Sequence, residues 1–503
     1  MVVLADLPDD VAELKALLLA AHDRNARLER LVLAFKQALF GRKSEKLDPD
    51  QFELALEDIE TGISAIDAEK EADPGEPVAP KRPRAANRGS LPKHLPRVEV
   101  VVEPDTTVCD CGSDLHVIGE DVSERLDVIP AQFRVIVTRR PRYGCRSCEA
   151  SVIQAPAPAR LIPGGIPTEA TVAHVLVAKY ADHLPLYRQA QIFSRQGVDL
   201  DRSTLADWVG RAAFDLRPVF DCLLANLKRS SKLFMDETRA PVLDPGRRRT
   251  KTGYFWSLAR DDRPWGGSDP PGVAYCYAPG RGGNHAEALL VGFAGVLQVD
   301  GYQGYNRLVG ENRAEGVIRL AYCWAHARRK LHEIAKGDSA PIAEEGLARI
   351  AEIYRIEQRI RGLTPAERLS VRQAEATPRV DAFGDWIVEQ RSRVSAKSDL
   401  GQALRYIFKL WDGLCLFLED GRVEMDTNAV ERAIRPIALN RKNALFAGHD
   451  VGAENWGIIA SLIETAKLND IEPHAYLTQT LEAIVNGHKQ QNIDQLLPWN
   501  YTA

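Results

Sequence analysis

The sequence lacks any apolar run long enough to cross a membrane, because its most apolar stretch, near residues 11–21, is interrupted by Glu13 and Lys15. A secretory signal is also missing, so we expect the protein in the cytoplasm. The eight cysteines are then expected to be reduced, and closely spaced pairs of them indicate metal sites before disulfides. At 503 residues, the chain is too long for one compact core, and we expect three or more domains.

A positive net charge is also absent, since the formal charge of the chain is -5. The deficit is local: residues 45–76 hold twelve acidic residues and two lysines, so the rest of the chain carries +5. Residues 81–97 contain six Lys or Arg and no acid, which suits neutralisation of phosphates. A solvated linker is the alternative interpretation of this basic stretch.

The N-terminal segment carries a heptad pattern. Apolar residues recur at alternating steps of three and four from Val11 to Leu39, which is typical of a coiled coil. Asn25 falls on the same seam, where a buried amide favours a dimer of defined register. We therefore predict a coiled-coil dimerisation helix over residues 1–47, with a helix packed on its own chain as the alternative. Residues 48–96, acidic and then basic, are predicted to be a linker.

Two cysteine pairs flank a strand-like segment. Cys109 and Cys111 form a CxC pair, and Cys145 and Cys148 form a CxxC pair. Four thiolates in this layout are typical of a zinc ribbon, in which the ion replaces the core that a short module cannot build. Residues 97–160 are therefore predicted to be a zinc-ribbon-like module with one structural Zn²⁺. The CxC pair is shorter than the usual spacing, which leaves a metal-free ribbon as the alternative.

A helical region over residues 161–230 follows. Within it, residues 178–213 have the pattern of helix, turn and helix, and Asp201 or Ser203 could cap the second helix. This pattern predicts a helix-turn-helix that binds DNA, with Arg202 exposed for the contact. A helical hairpin that binds nothing is the alternative. The inner face of the second helix is predicted to consist of Leu205, Trp208 and Val209.

Five apolar, strand-like runs begin at residue 231. The first three are joined by short turns that suit antiparallel hairpins, whereas a helical piece near residues 284–294 separates the third from the fourth, as a parallel crossover requires. This order predicts a ribonuclease H-like core over residues 231–330, with Asp236 and Asp300 at the ends of the adjacent first and fourth strands. Two carboxylates placed in this way can hold a pair of cations.

A third carboxylate is needed to complete such a site, and Glu431 is the candidate. Asn428, Glu431 and Arg435 are spaced so that they share one face of a helix, which residues 421–450 are predicted to form as the last part of the core. The alternatives are a turn residue for each aspartate and a surface ion pair with Arg435 for Glu431.

Several strings in the chain are long and specific: FGRKSEKL, LPKHLPR, IGEDVSERLDVIPAQFRV, MDET, QVDGYQGY, CWAHARRK, NAVERAIRP and RKNALFAG. Through them the chain resembles the insertion-sequence-sixty-six family of DDE transposases nearly from end to end. The resemblance implies that Asp236, Asp300 and Glu431 are the catalytic triad and that two Mg²⁺ ions serve catalysis. It also implies nicking at the inverted terminal repeats of a transposon, followed by attack of the freed 3′ hydroxyl on target DNA.

A largely helical insertion separates the second aspartate from the glutamate in such enzymes, here over residues 331–420, and residues 451–503 form a C-terminal helical region. Cys323 and His326 match a CxxH signature of related transposases. We expect His326 to contact the active site or DNA rather than zinc, because no second ligand pair lies nearby in the sequence. The expected DNA contacts are Arg82, Arg84, Arg202, His326, Arg328, Arg329, Asn428, Arg432, Arg435, Arg441 and Lys442.

Taken as a whole, the chain is predicted to be a multidomain α+β protein of the nucleoid. Its expected partners are DNA, at transposon ends and at targets, further copies of the same chain, and accessory proteins encoded by the same element; no membrane partner is expected. Two rival functions stay open. A DNA-binding repressor would have no use for the three carboxylates, and a ribonuclease H-like nuclease or resolvase would share the metals without requiring paired ends.

The zinc module yields a first prediction. Protein purified without chelators should contain one zinc ion per chain, and a Cys145→Ser, Cys148→Ser variant should lose it, because two thiolates cannot close a tetrahedral site. Elemental analysis by mass spectrometry measures the ratio, with Cys222→Ser as the control. Zinc-free wild-type protein would contradict the prediction.

Overall fold

The computed structural model describes residues 133–144, 152–162, 164–244, 249–309, 316–336, 340–444, 447 and 449–502. All of them belong to the compact unit Ala131–Ala503. The predicted coiled coil and linker lie outside the described residues, as do the four cysteines of the predicted zinc module and Arg82 and Arg84. Within the described part, the structure contains no helix long and apolar enough to cross a membrane.

A five-stranded mixed sheet lies at the centre of this unit. In chain order, after the short paired strands β1 (Arg142–Gly144) and β2 (Val152–Gln154), its strands are β3 (Lys232–Asp244), β4 (Arg249–Arg260), β5 (Gly272–Ala278), β6 (Gly295–Val299) and β7 (Ile318–Tyr322). They contain β-branched and aromatic residues such as Phe255, Trp256 and Val296, which favour extended backbone. The spatial order is β5-β4-β3-β6-β7, antiparallel from β5 to β3 and parallel from β3 to β7. The predicted arrangement of antiparallel and then parallel strands is therefore observed.

The first strand of the sheet is longer than predicted. Asp236 lies inside β3 rather than at its end, because the hairpin partner β4 pairs with β3 as far as Asp244. The parallel pairing of β3 with β6 nevertheless stops at Phe234, opposite Gln298. Asp236 and Asp300 each lie two positions beyond this last pair, so they are neighbours at the point where β6 ends and β3 continues.

Helices precede, interrupt and follow the sheet. The helices before it are α1 (Glu169–Tyr180), α2 (Leu186–Arg195) and α3 (Arg202–Lys228), and the crossover between β5 and β6 contains α4 (Gly283–Leu289). The segment between β7 and Glu431 is helical, as predicted. Its helices are α5 (Trp324–Ala335), α6 (Pro341–Arg359), α7 (Pro365–Val371), α8 (Thr377–Arg393), α9 (Asp399–Lys409) and α10 (Trp411–Cys415). The last three are α11 (Asn428–Ala444), α12 (Asp450–Leu468) and α13 (Pro473–Val485).

The predicted helix-turn-helix corresponds to α2, a turn and α3. Asp201 occupies the position before α3, but its side chain makes no capping hydrogen bond there. The predicted inner face is buried, whereas Arg202 is exposed at the start of the helix. The geometry of two helices and a turn is thus present, and its contact with DNA stays a prediction. The buried residues of that face are Leu205, Trp208 and Val209.

Helices cover both edges of the sheet. On the outer edge of β5, the hydroxyl oxygens of Ser461 and Thr465 from α12 accept main-chain N–H groups at 2.8 and 3.1 Å. At the β7 edge, Gly413 of α10 lies so close that a Cβ there would be 2.7 Å from the carbonyl oxygen of Leu320. Covered edges cannot pair with strands of another chain.

The helices between β7 and α11 have an apolar core of their own, which includes Trp324, Phe383 and Ile387. Beside it, the guanidinium of Arg372, which is 0% exposed, donates to both carboxylate oxygens of Glu357 at 2.8 and 2.7 Å. It also donates to the carbonyl oxygens of Phe417 and Asp420. One buried side chain therefore fastens α6 to the loop that leads toward α11.

Replacing this arginine should be costly. Arg372→Ala should lower the free energy of unfolding by about 3–5 kcal/mol, because the largely buried carboxylate of Glu357 loses the closer of its two arginine partners. Arg393→Ala is the matched control, since Arg393 is exposed and its ion pair among the described residues is with Glu389 on the same helix; it should cost less than about 0.5 kcal/mol. Urea unfolding followed by tryptophan fluorescence measures both, and equal effects would show that the buried pair is unimportant.

Candidate active site

The carboxylates of Asp236, Asp300 and Glu431 converge where the pairing of β3 with β6 ends. Asp236 lies on β3, Asp300 directly follows β6, and Glu431 lies in the first turn of α11. Adjacent strands are about 4.8 Å apart, so the register makes the two aspartates close neighbours. The negative charges of Asp300 and Glu431 both act on the carboxyl group of Asp236. The structure therefore brings together all three residues that the sequence singled out.

The carboxyl group of Asp236 has a strongly raised pKa. Burial raises the pKa of its carboxyl group to about 8, and the charges of Asp300 and Glu237 contribute to the rise. The N–H of Glu237 donates to its Oδ1 at 2.7 Å and acts in the opposite direction. In the absence of a cation, this carboxyl group is largely protonated at neutral pH. The pocket is thus short of positive charge.

Asp300 is held by the turn that follows β6. Its Oδ1 accepts the N–H of Tyr302 at 2.8 Å, and its carbonyl oxygen accepts the hydroxyl of Tyr406 from α9 at 3.0 Å. Gly301 adopts a φ of +95°, and a Cβ there would lie 2.7 Å from Cδ1 of Leu410. Only glycine fits both requirements, which explains the DG pair in this turn.

Glu431 is held through the CxxH segment. The hydroxyl of Thr427 donates to Oε1 of Glu431 at 3.1 Å, and the N–H of Thr427 donates to Sγ of Cys323 at 3.3 Å. Nδ1 of His326, from the first turn of α5, lies 3.7 Å from the same Oε1. Cys323 and His326 therefore help to fix the start of α11 and the direction of its glutamate.

Cys323 is buried and His326 is partly buried. Burial lowers the pKa of His326 against the opposing effect of Glu431, and Nδ1 is buried without a hydrogen-bond partner among the described residues. Burial raises the pKa of the Cys323 thiol to about 11. The donor atoms of Cys323, His326 and Glu431 lie within 4.8 Å of one another. Glu431 is far from His326 in the sequence, so local spacing could not reveal that the two residues belong to one group.

Glu237 is a member of the site that the sequence did not reveal. Its side chain is 1% exposed and contacts Arg281 at 2.6 Å and the hydroxyl of Tyr305 at 2.6 Å. The guanidinium of Arg281 stacks on the ring of Tyr302 at 4.1 Å from its centroid. Burial raises the pKa of Glu237, while the hydrogen bonds from Tyr305 and Arg281 oppose the rise. This group links the loop after β5 to the segment after Asp300.

Most of the predicted DNA contacts lie on the two helices that border the carboxylates. Arg328 and Arg329 share α5 with His326. Within α11, Asn428 donates to Asp426 at 2.7 Å, which shows that its amide also has a structural role. The remaining predicted contacts on α11 are Arg432, Arg435, Arg441 and Lys442.

Family models cover most of the chain and define its class. The model described as "Transposase IS66 family" matches residues 164–455, and "IS66 C-terminal element" matches residues 461–499. The model "zinc-finger binding domain of transposase IS66" matches residues 106–149, and "Transposase C of IS166 homeodomain" matches residues 27–100. These matches define a DNA-processing enzyme of the transposase class. The chain belongs to the IS66 family of transposases, which confirms the resemblance seen in its motifs.

Full-length relatives exist in Sinorhizobium fredii (strain NBRC 101917 / NGR234). "Uncharacterized protein y4jD" is 44% identical over 99% of this chain and 97% of its own length. "Uncharacterized protein y4qI" is 41% identical over 99% of this chain and 93% of its own length. The similarity therefore extends through every region that the family models match.

The pKa of Asp236 predicts how pH affects stability. Folding raises this pKa from 3.8 to about 8, so the stabilising contribution of the protonated carboxyl is complete below pH 3.8 and is lost as pH rises through about 8. Without divalent ions, the melting temperature of the wild type should fall between about pH 6 and pH 9.

Asp236→Asn cannot ionise, so its melting temperature should fall less over this range, by a difference of at least about 2–4 °C. Asp385→Asn, at an exposed position of α8, is the control. Scanning calorimetry in buffer without divalent ions measures the three proteins. Parallel pH profiles for Asp236→Asn and the wild type would refute the assignment of the raised pKa.

Proposed function

We propose that the chain is a DDE transposase, which cuts DNA at the inverted terminal repeats of its transposon and joins the freed end to target DNA. The observation that supports this proposal is the convergence of Asp236, Asp300 and Glu431 at the end of the parallel strands. The strand order β5-β4-β3-β6-β7 also supports the proposal, because it is the order expected of a ribonuclease H-like core. A helical insertion lies between the second aspartate and the glutamate, as the resemblance implies.

Two Mg²⁺ ions suit this donor set. Carboxylate oxygens are the hard ligands that Mg²⁺ prefers. Burial, together with the negative charges of Asp300 and Glu237, raises the pKa of Asp236, and bound cations would oppose this rise. Asp236, Asp300 and Glu431 would hold the ions. When bound, such a pair stabilises the attacking and the leaving oxygen of an in-line displacement at phosphorus.

The chemistry needs two displacements and no covalent protein intermediate. In the first, a water oxygen bonds to the scissile phosphorus and the bond to the 3′ oxygen breaks, which leaves a 3′ hydroxyl. In the second, this hydroxyl attacks a phosphorus of the target DNA and displaces a 3′ oxygen there. Tyr406 and Gly301 fix Asp300, and Thr427 fixes Glu431, so the acids are oriented before DNA arrives.

The other regions have supporting roles in this proposal. The cysteines at 109, 111, 145 and 148 would hold one Zn²⁺, in the region that the zinc-finger model matches. Helices α2 and α3 would contact DNA with Arg202 at their exposed junction. The N-terminal helix would pair two copies of the chain, so that two transposon ends are held together in the nucleoid, with accessory proteins of the element as further partners.

The carboxylates provide the direct test. Asp236→Asn, Asp300→Asn and Glu431→Gln should each reduce cleavage of labelled transposon ends in Mg²⁺ by at least about a thousandfold, because each removes an ion ligand. Binding of the same DNA should be retained, and Asp385→Asn should cut at the wild-type rate.

Gel analysis of cleavage and strand-transfer products separates the rival functions. Cleavage of single ends without joined products would indicate a nuclease or resolvase. Binding without any cleavage by the wild type would indicate a repressor. Strand transfer by any of the three carboxylate variants would reject the catalytic assignment.

A further inference from the structure

A cleft with three arginines lies along β3, beside the candidate active site. We call it the arginine cleft, and its volume is about 280 Å³. Its walls come from β3, β4, the loop after β5 and the last turn of α11, so the two elements that carry Asp236 and Glu431 also build the cleft. The residues that line it are Glu237, Thr238, Arg239, Tyr254, Arg281 and Arg441.

The cleft occupies a gap along one edge of β3. Pairing with β6 ends at Phe234, and the next main-chain partner is Ala447, which donates to the carbonyl oxygen of Pro241 at 2.9 Å. In the described part of the chain, no strand pairs with β3 on this side between those two points. The interruption leaves a recess at Thr238 and Arg239 that opens to solvent.

The charges in the arginine cleft do not balance. Glu237 is the one acid among its lining residues, and it already pairs with Arg281. The guanidinium of Arg441 donates instead to the neutral Oγ1 of Thr238 at 3.2 Å and to the carbonyl oxygen of Arg239. Burial and the nearby charge of Arg239 both lower the pKa of Arg441. Two guanidinium groups thus lie together with no acid between them among the lining residues.

An anion would relieve this repulsion, and the shape of the donors indicates which kind. A guanidinium group presents its N–H donors in a planar fork that matches two oxygens of a phosphate. Arg239 comes from the strand and Arg441 from the helix, so their donors reach the recess from two sides. A phosphodiester, with two unbridged oxygens and one negative charge, fits both the donors and the charge.

We propose that the arginine cleft binds a backbone phosphodiester of the DNA strand whose scissile phosphate lies at Asp236, Asp300 and Glu431. The inference rests on the proposed function. Arg239 is three residues from Asp236 on β3, about 10 Å at ~3.3 Å per residue. Arg441 is ten residues from Glu431 on α11, about 15 Å at ~1.5 Å per residue. At a rise of ~3.4 Å per nucleotide, the contacted phosphate is about three to four nucleotides from the cut.

Neutral phosphates test the position of the contact. In the full-length protein, a methylphosphonate about three to four nucleotides from the cleavage site should weaken binding of the DNA about tenfold, because it removes the charge that the arginines recognise. An Arg239→Ala, Arg441→Ala variant should bind unmodified DNA about tenfold more weakly and lose nothing further from that methylphosphonate. Its plot of log Kd against log salt should be flatter, by about 0.9 for each lost contact.

The phosphodiester could belong to the transposon end or to the target, so each DNA carries the methylphosphonate in a separate arm. Interference in either arm supports the proposal and names the DNA. Arg393→Ala removes one exposed arginine elsewhere and should leave the interference pattern unchanged. Because Arg441 also bonds to β3, Arg239→Ala alone is measured too; its exposed side chain should leave the melting temperature unchanged.

Failure of this inference differs from failure of the proposed function. If the wild type cuts ends but the same interference persists in the double variant, the arginine cleft does not hold the phosphate and the inference is overturned. If interference is lost in the variants while the wild type never cuts DNA, the cleft stands and the catalytic proposal fails.

Discussion

The mutual repulsion of three carboxylates in a half-buried pocket is the constraint on which the rest of the structure depends. Burial and neighbouring charges raise the pKa of Asp236 to about 8, so the pocket resists full ionisation. The fold nevertheless holds the acids together, because Asp236 and Asp300 are fixed by a strand register and Glu431 by the first turn of a helix. A slip of one residue in that register would turn Asp236 to the other face of the sheet.

The helical insertion helps to keep the acids in place. Tyr406 of α9 bonds to the carbonyl oxygen of Asp300, and Arg372 fastens the loop that leads toward the glutamate. Just before the insertion, Cys323 accepts the N–H of Thr427, whose hydroxyl bonds to Glu431. The insertion and the segment that leads into it thus contact the supports of two acids that are far apart in the sequence.

The sequence predicted the order of the strands and the convergence of the acids, because hairpin turns, a crossover helix and apolar runs are local signals. It did not predict the full length of β3, since that depends on how far β4 continues to pair with it. The group around Glu237 was also missed. Its partners Arg281 and Tyr305 come from later loops, and no local pattern joins them to β3. Sequence spacing likewise could not predict that His326 lies close to Glu431.

The net charge of -5 says little about the binding of DNA, because charges act over about 10 Å at ordinary salt. Along β3, acids and arginines lie within about that distance of one another. Asp236 lies among negative charges, whereas Arg239 and Arg441 lie close to each other's positive charge. In the proposed function, cations neutralise the acids and DNA phosphates neutralise the arginines. A phosphate brought close to Asp236 would add negative charge there and strengthen the binding of cations. The binding of DNA and the binding of metal should therefore favour each other.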